Sequence, residues 1–446
     1  MPALDPKAIL EGRRPGRYSI SITIGIVVSV LCALGMLGYL LWAGLASGGV
    51  TGVIGFLISV VAAVIPVAIL VPLILLLDRL EPEPPSMMIF SFLWGAGVAV
   101  VVSYLLNTVG LELWMVPMFG ADLGTFVNTA VGAPVVEESA KGMVLLFLLW
   151  RRRWEIDSFT DGVIYAGMVA TGFAFTENVL YFLQSFFEEG LFGLVFSFVL
   201  RGLVSPFGHP LYTAMIGIGI AHAAMSRGTL RFAAPVVGWF AAVLLHGMWN
   251  GASQFGWGGF GVAYVLLFFV LLSIVVIAIQ DRHQQVAAIA HYLPPYISTG
   301  LVEPPDIRML SSIKGRRGAR RWAQRNAGQR GRSAMKDYQL AATELALLHQ
   351  RLERGVARSN WEYHRDSFLA LMHVARDAFA GRTQQPVAPE WAHKTTDSGF
   401  LQRADFARVI AAAQAQRQAR ASEGQPDASE GQPDDKQPGD GEQPSR

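Results

Sequence analysis

Glu137 and Lys141 stand four residues apart in an otherwise apolar stretch, with Glu138 beside them. On a helix, residues at i and i+4 share a face. Glu138 is turned roughly 100° away. The same spacing recurs in Phe173-x-x-x-Glu177 and His246-x-x-x-Asn250, while His209 follows Pro206 and Gly208, where a helix is expected to break. Carboxylates, imidazoles and an amide are enough to activate water. A Glu whose apolar surroundings raise its proton affinity can act as general base. Histidine and asparagine can donate to a developing oxyanion. Alternatively, His209, His246 and Glu177 hold Zn²⁺ and a second Glu serves as base. Lys141 would neutralise one carboxylate and hold its orientation.

Each pattern also has a plainer reading. Glu137 and Lys141 could form a structural ion pair, and His246 and Asn250 could bond between helices. Arg201 could snorkel or pair with Glu188 or Glu189, and His222 reads as structural. Taken in order, the three pairs and His209 point to one water-reached cavity. Glu137, Glu138, Glu177, His209, His246, Asn250 and Lys141 are its candidate catalytic residues.

The setting of these residues is a membrane. The chain has 446 residues, 52% of them hydrophobic, with a mean hydropathy of +0.37. Residues 1–280 hold 12 of the 36 Lys and Arg and 15 of the 34 Asp and Glu, so the charge is concentrated toward the C-terminus. The N-terminal part cannot form a water-soluble core, which excludes a secreted or cytosolic globular enzyme and an ordinary nucleic-acid binder. The one cysteine, Cys32, lies in the first apolar run, so no internal disulfide or cysteine metal site is available.

Apolar runs at 19–45, 53–77, 87–109, 126–150, 161–187, 191–225, 232–254 and 258–280 have the length of bilayer-crossing helices. Lys and Arg mark the cytoplasmic side. They place the N-terminus, the Arg151-Arg152-Arg153 loop, the Arg227–Arg231 loop and everything from 281 onward inside. The expected fold is therefore an all-α, polytopic bundle of about eight spans in the bacterial plasma membrane, with both termini cytoplasmic. The run 191–225 is too long for one span. It reads as a short outer or re-entrant helix at about 190–204 and a span at 207–225, with a ninth crossing as the alternative. The organisation expected is a cytoplasmic segment 1–18, a bundle 19–280, a Pro-containing and basic linker 281–332, a helical region 333–420 and a disordered tail 421–446. The basic stretch 314–332, with Trp322 in its middle, is expected to lie on anionic inner-leaflet lipid. No nucleic-acid partner is expected.

The set Glu137-Glu138-x-x-Lys141, Phe173-x-x-x-Glu177, His209 and His246-x-x-x-Asn250 resembles the PrsW family of intramembrane proteases. That family belongs to the wider clan of CAAX-prenyl-protease-like membrane proteins, whose first motif is Glu-Glu-x-x-x-Arg; the spacing to Lys141 favours the PrsW branch. The stretch Asp78–Pro84 also looks like that branch. The resemblance covers roughly residues 60–280. It implies a membrane-embedded hydrolase that cuts membrane-anchored proteins such as a transmembrane anti-sigma factor, with Glu137, Glu138 and the motif histidines essential. Metal-dependent and metal-free glutamate mechanisms are both open, so Zn²⁺ is a candidate cofactor. Two other functional classes compete with this reading. A non-catalytic scaffold binding partner helices is the main alternative, although this chain keeps the glutamates. A proton-relay transporter is disfavoured because no inverted hydropathy repeat is seen.

Overall fold

Lipid offers no hydrogen-bond partners, so apolar runs that cross it must satisfy their own backbone as helices. The computed structural model describes residues 20–77, 83–357 and 360–380, and among them no strand occurs. The segment 1–18, the part of the expected helical region 333–420 beyond residue 380, and the tail 421–446 lie outside the described residues.

Helix α1 (Ile20–Leu77) is broken at Gly49, whose φ of 55° turns the chain back on itself and gives two apolar arms. Helix α2 (Pro85–Phe119) follows, with π-helical turns at Gly95–Ala99 and Leu111–Met115. The short α3 (Ala121–Val127) passes through a third π turn, Asn128–Gly132, into α4 (Ala133–Arg152). Helix α5 (Phe159–Phe198) opens on a capping box made by Ser158 and Asp161 and breaks at Gly190, with φ 66°. The chain beyond Gly190 ends in a π turn, Val199–Val204, before α6 (Gly208–Met225) begins. The long run thus contains a short helix followed by a full-length one. Helices α7 (Ala233–Ala252) and α8 (Gly256–Tyr292) complete the apolar part.

Among the described residues, five helical stretches are long and apolar enough to cross a membrane: Ile20–Leu77, Pro85–Phe119, Phe159–Met225, Thr229–Ala252 and Gly256–Tyr292. Helix α4 is not among them. It carries Glu137, Glu138, Lys141, Arg151 and Arg152, and three of these are the residues that could do chemistry.

The helices pack closely at small residues. A Cβ on Gly162 would meet the Gly217 carbonyl oxygen at 2.2 Å, and one on Gly217 would meet that of Gly162 at 2.2 Å. Helices α5 and α6 therefore cross backbone to backbone. At the end of the bundle that holds the basic loops, Arg153 caps α6 by donating to the carbonyls of Ala224 (2.8 Å) and Ser226 (2.9 Å). The Thr160 amide and hydroxyl donate to Asp281 at 2.8 and 2.9 Å. Part of the Asp78–Pro84 stretch also acquires a role: the buried Glu83 accepts a 2.5 Å hydrogen bond from the Tyr165 hydroxyl, tying the start of α2 to α5.

Residues 289–379 form a separate apolar cluster built from the end of α8, α9 (Pro304–Leu310), α10 (Ile313–Glu353) and α11 (Trp361–Ala380). Helix α10 is a hairpin. It reverses at Ala327–Gly328, where Gly328 has φ 62°. The basic stretch 314–332, set out as linker, forms the first arm of this hairpin, its turn and the start of the second arm. Arg316 is buried there and donates to the Leu310 carbonyl and the Thr343 hydroxyl, both at 2.7 Å. Arg320 donates to Gln339 at 2.7 Å. Arg351 pairs with Asp157, and Arg354 donates to Gln284 at 3.3 Å, so the cluster is seated on the basic-loop end of the bundle.

Candidate functional site

Helix α4 supplies the charged centre. Lys141 Nζ lies 2.9 Å from Glu138 Oε1 and 3.4 Å from Glu137 Oε2, with both Lys141 and Glu138 wholly buried. The ammonium also lies 3.0 Å from His209 Nδ1 and 3.8 Å from the centre of the Phe173 ring. An unpaired ion in a low-dielectric interior is costly, and this one is surrounded by partners. Glu138 accepts from Lys141, from the Thr213 hydroxyl (2.8 Å) and faces His246 Nδ1 at 3.0 Å.

A second carboxylate–imidazole couple stands across the site. Glu177 Oε2 lies 2.9 Å from His209 Nε2 and is also held by Arg201, whose Nε donates to Asn178 Oδ1 at 2.9 Å. The Arg201 guanidinium lies 4.1 Å from the Tyr181 ring centre. Arg201 thus does not snorkel to Glu188 or Glu189. The π turn at Val199–Val204 turns it inward, consistent with the tendency of π turns to occur at functional positions.

These groups border a cavity of about 190 Å³. Glu137, Glu177, His209, His246 and Asn250 line it, together with Asn107, Tyr212 and Arg201. Glu138 and Lys141 stand behind this wall. Glu137 is the more loosely held of the two adjacent carboxylates: Asn107 donates to its Oε1 at 3.4 Å, and His246 Nε2 is 3.8 Å from its Oε2. The Asn250 amide donates to the Thr129 carbonyl at 3.0 Å. His222 is exposed and borders a crevice between the bundle and the helical hairpin, away from this cavity.

The hydrogen bonds decide which ring nitrogens are available. A proton on His246 Nδ1 satisfies Glu138, and a proton on His209 Nε2 satisfies Glu177. The lone pairs left over are His246 Nε2 and His209 Nδ1; this tautomer assignment follows from the bonding pattern. Glu137, His209 and His246 can each offer one ligand atom within 4.8 Å of the others. The set expected from sequence contained Glu177; the geometry puts Glu137 in its place, because Glu177 is engaged by Arg201 and by the far nitrogen of His209. Two His and one Glu suit zinc. Each imidazole also has the carboxylate partner that orients metal-bound histidines. The residues present therefore fit such an ion. An ion held there would compete with the Lys141 ammonium, 3.0 Å away, for the His209 Nδ1 lone pair.

Sequence reasoning did not single out Tyr212 or Thr213. Tyr212 and Thr213 sit three and four residues after His209, on the same helical face, which is the signal that could have found them.

Residues 83–277 match a family described as PrsW family intramembrane metalloprotease. Proteins named Protease PrsW are similar to part of the chain. The one from Oceanobacillus iheyensis is 26% identical over 195 residues, covering 42% of this chain and 80% of its own. That from Bacillus subtilis is 24% identical over 189 residues, covering 42% and 79%. That from Geobacillus kaustophilus is 26% identical over 156 residues, covering 35% and 62%. No solved structure matches the chain.

Proposed function

We propose that this chain, a multi-pass membrane hydrolase whose residues 83–277 are a PrsW-family region, is an endopeptidase that cuts a membrane-anchored polypeptide near the extracytoplasmic end of its anchor. The observation that carries this reading is the pair of carboxylate–imidazole couples facing one cavity inside an apolar bundle. A scaffold has no need to hold four such groups out of water, where each is costly.

Position in the bundle refines the proposal. Glu137, His209, His246 and Glu177 lie 13 to 18 residues from the basic-loop ends of their helices, about 20–27 Å at helical rise. With those loops cytoplasmic and both termini inside, the site falls in the outer half of a roughly 30 Å core. A transmembrane anti-sigma factor or similar regulator is a substrate of suitable form.

In this reading Zn²⁺ is held by Glu137, His209 and His246. When bound, it supplies Lewis acidity toward a peptide carbonyl. The chain's own groups do the rest. Glu138 and Glu177 fix the two imidazoles. Glu177, the other carboxylate on the cavity wall, is placed to accept the proton of the attacking water. Arg201 and Asn178 keep Glu177 in place. Lys141 offsets the negative charge behind the wall.

The partners proposed are the bilayer and the anchored substrate. Lys314, Arg317, Arg321 and Arg325 form an exposed stripe on the first arm of α10, of the charge an anionic inner leaflet attracts. A spin label at Asn326 that gains no relaxation from a lipid-soluble agent in anionic nanodiscs would remove lipid from that face.

The proposal is tested with purified chain and a single-span peptide. Cleavage that tracks metal content and is lost in Glu137→Gln supports it. Cleavage retained by Glu137→Gln, or by fully metal-free protein, removes the assignment.

A further inference from the structure

Neither imidazole of the site has a free N–H: Glu138 accepts that of His246 and Glu177 that of His209, and the nitrogens left over are acceptors, the one on His209 facing Lys141. Asn250 already donates to the Thr129 carbonyl. Yet hydrolysis of an amide builds negative charge on the carbonyl oxygen, and a donor aimed at that point is commonly among the largest contributions to rate. One side chain at the cavity is suited to this and otherwise unused.

Tyr212 is 1% exposed, and its hydroxyl has no hydrogen-bond partner among the described residues. Its ring stacks on His246, with centroids 4.8 Å apart and planes 21° from parallel, and it lies edge-on to His209 at 5.9 Å. The residue borders the cavity. Helical side chains lean toward the N-terminus, so the hydroxyl reaches back to the start of α6. There a Cβ on Gly208 would stand 2.9 Å from it, and the glycine leaves it room. A buried hydroxyl without a partner is destabilising, and its retention calls for an explanation.

We propose that Tyr212 is a catalytic residue whose hydroxyl donates to the substrate carbonyl oxygen as that oxygen becomes an oxyanion. The inference rests on the peptidase reading above. Water adds to the carbonyl carbon, a carboxylate takes its proton, and the carbonyl electron pair moves onto oxygen, where the Tyr212 O–H hydrogen-bonds it. When the intermediate collapses, the C–N bond breaks and the departing nitrogen receives the proton. Tyr212 keeps its own proton throughout. Until substrate arrives its hydroxyl has no acceptor, which is the preorganisation such a donor requires.

The experiment compares wild type, Tyr212→Phe and Glu137→Gln in cleavage of a single-span peptide, with thermal unfolding in the same detergent. The Phe variant keeps the ring and its stacking and removes only the hydroxyl. Expected are a fall in kcat of about 10²–10³-fold, a KM within a few-fold of wild type, and an unchanged or higher Tm. A structural hydroxyl would give a lower Tm with kcat preserved, and either of those results overturns the assignment. Gly208→Ala is the second variant: crowding the hydroxyl lowers kcat in the Tyr212 protein and has little further effect in Tyr212→Phe. Equal proportional losses in both backgrounds would also overturn it. An inactive wild type defeats the peptidase reading, whereas an active wild type matched by Tyr212→Phe defeats only this inference.

Discussion

His246 Nδ1 stands 3.0 Å from Glu138 Oε1, and this contact decides which nitrogen the imidazole turns toward the cavity. Glu138 itself does not line that cavity. Glu138→Gln should therefore act through His246: the amide can donate as well as accept, and it weakens the preference for a proton on Nδ1. The expected result is a loss of cleavage of about 10²–10⁴-fold, the range for a mispositioned acid–base or electrophilic group. Metal retention should fall with it. Glu138→Gln protein with both activity and metal intact would show that the tautomer is set elsewhere.

Lys141 touches both adjacent carboxylates and is wholly buried. Lys141→Met leaves Glu137 and Glu138 without their cation. Breaking a buried pair by removing one partner costs about 3–5 kcal/mol. The variant should unfold at lower temperature or denaturant than wild type, with the activity of the folded fraction reduced less than in Glu138→Gln. A Tm equal to wild type would mean that the charge is compensated by other groups.

Arg201 holds Glu177 and Asn178 at once, which needs the fork of a guanidinium. Arg201→Lys keeps the charge and loses that geometry. We expect kcat to drop while membrane insertion is preserved, with Arg201→Gln lower still. If Lys substitutes without loss, Arg201 contributes charge alone.

Outside the membrane, burial lowers the His349 pKa from its ordinary 6.5, with Arg365 adding to the effect. Its Nε2 lies 2.7 Å from the Tyr296 hydroxyl. The unfolded chain then binds a proton more readily than the folded one. This contribution to stability is fully present above pH 6.5 and is lost as pH falls below that value toward the folded pKa. Pulse proteolysis of the full chain should show the helical hairpin region becoming more susceptible as pH falls from 7.5 to 5.5. His349→Gln should flatten that change, and an identical pH response in the variant would exclude His349 as its source.

The spacing of Glu137, Lys141, Glu177, His209, His246 and Asn250 made the helical faces of the site legible, because i,i+4 geometry is local. The break near residue 190 and the restart after Pro206 were legible for the same reason. What spacing could not reveal was which carboxylate meets which imidazole. That depends on helix rotation and crossing, which small residues such as Gly162 and Gly217 set far from the chemistry. Arg201 was read as a residue near the surface because nothing in its own stretch marks the π turn that rotates it inward. The basic stretch at 314–332 looked like linker by charge. Yet Arg316 is buried, donating to the Leu310 carbonyl at the end of α9 and to Thr343 across the hairpin.

The contact between Gly162 and Gly217 gives the site a lever. Gly217 lies eight residues from His209 and Gly162 fifteen from Glu177, about 12 and 22 Å at helical rise. A methyl group at either glycine would wedge the two backbones apart. A tilt of about 5° there swings His209 by roughly 1 Å at the far end of a 12 Å arm, and displacements of that size can cost about 10²-fold in rate. Two residues with no side chain, remote from any reacting atom, thereby set the alignment tolerance of the His209–Glu177 couple.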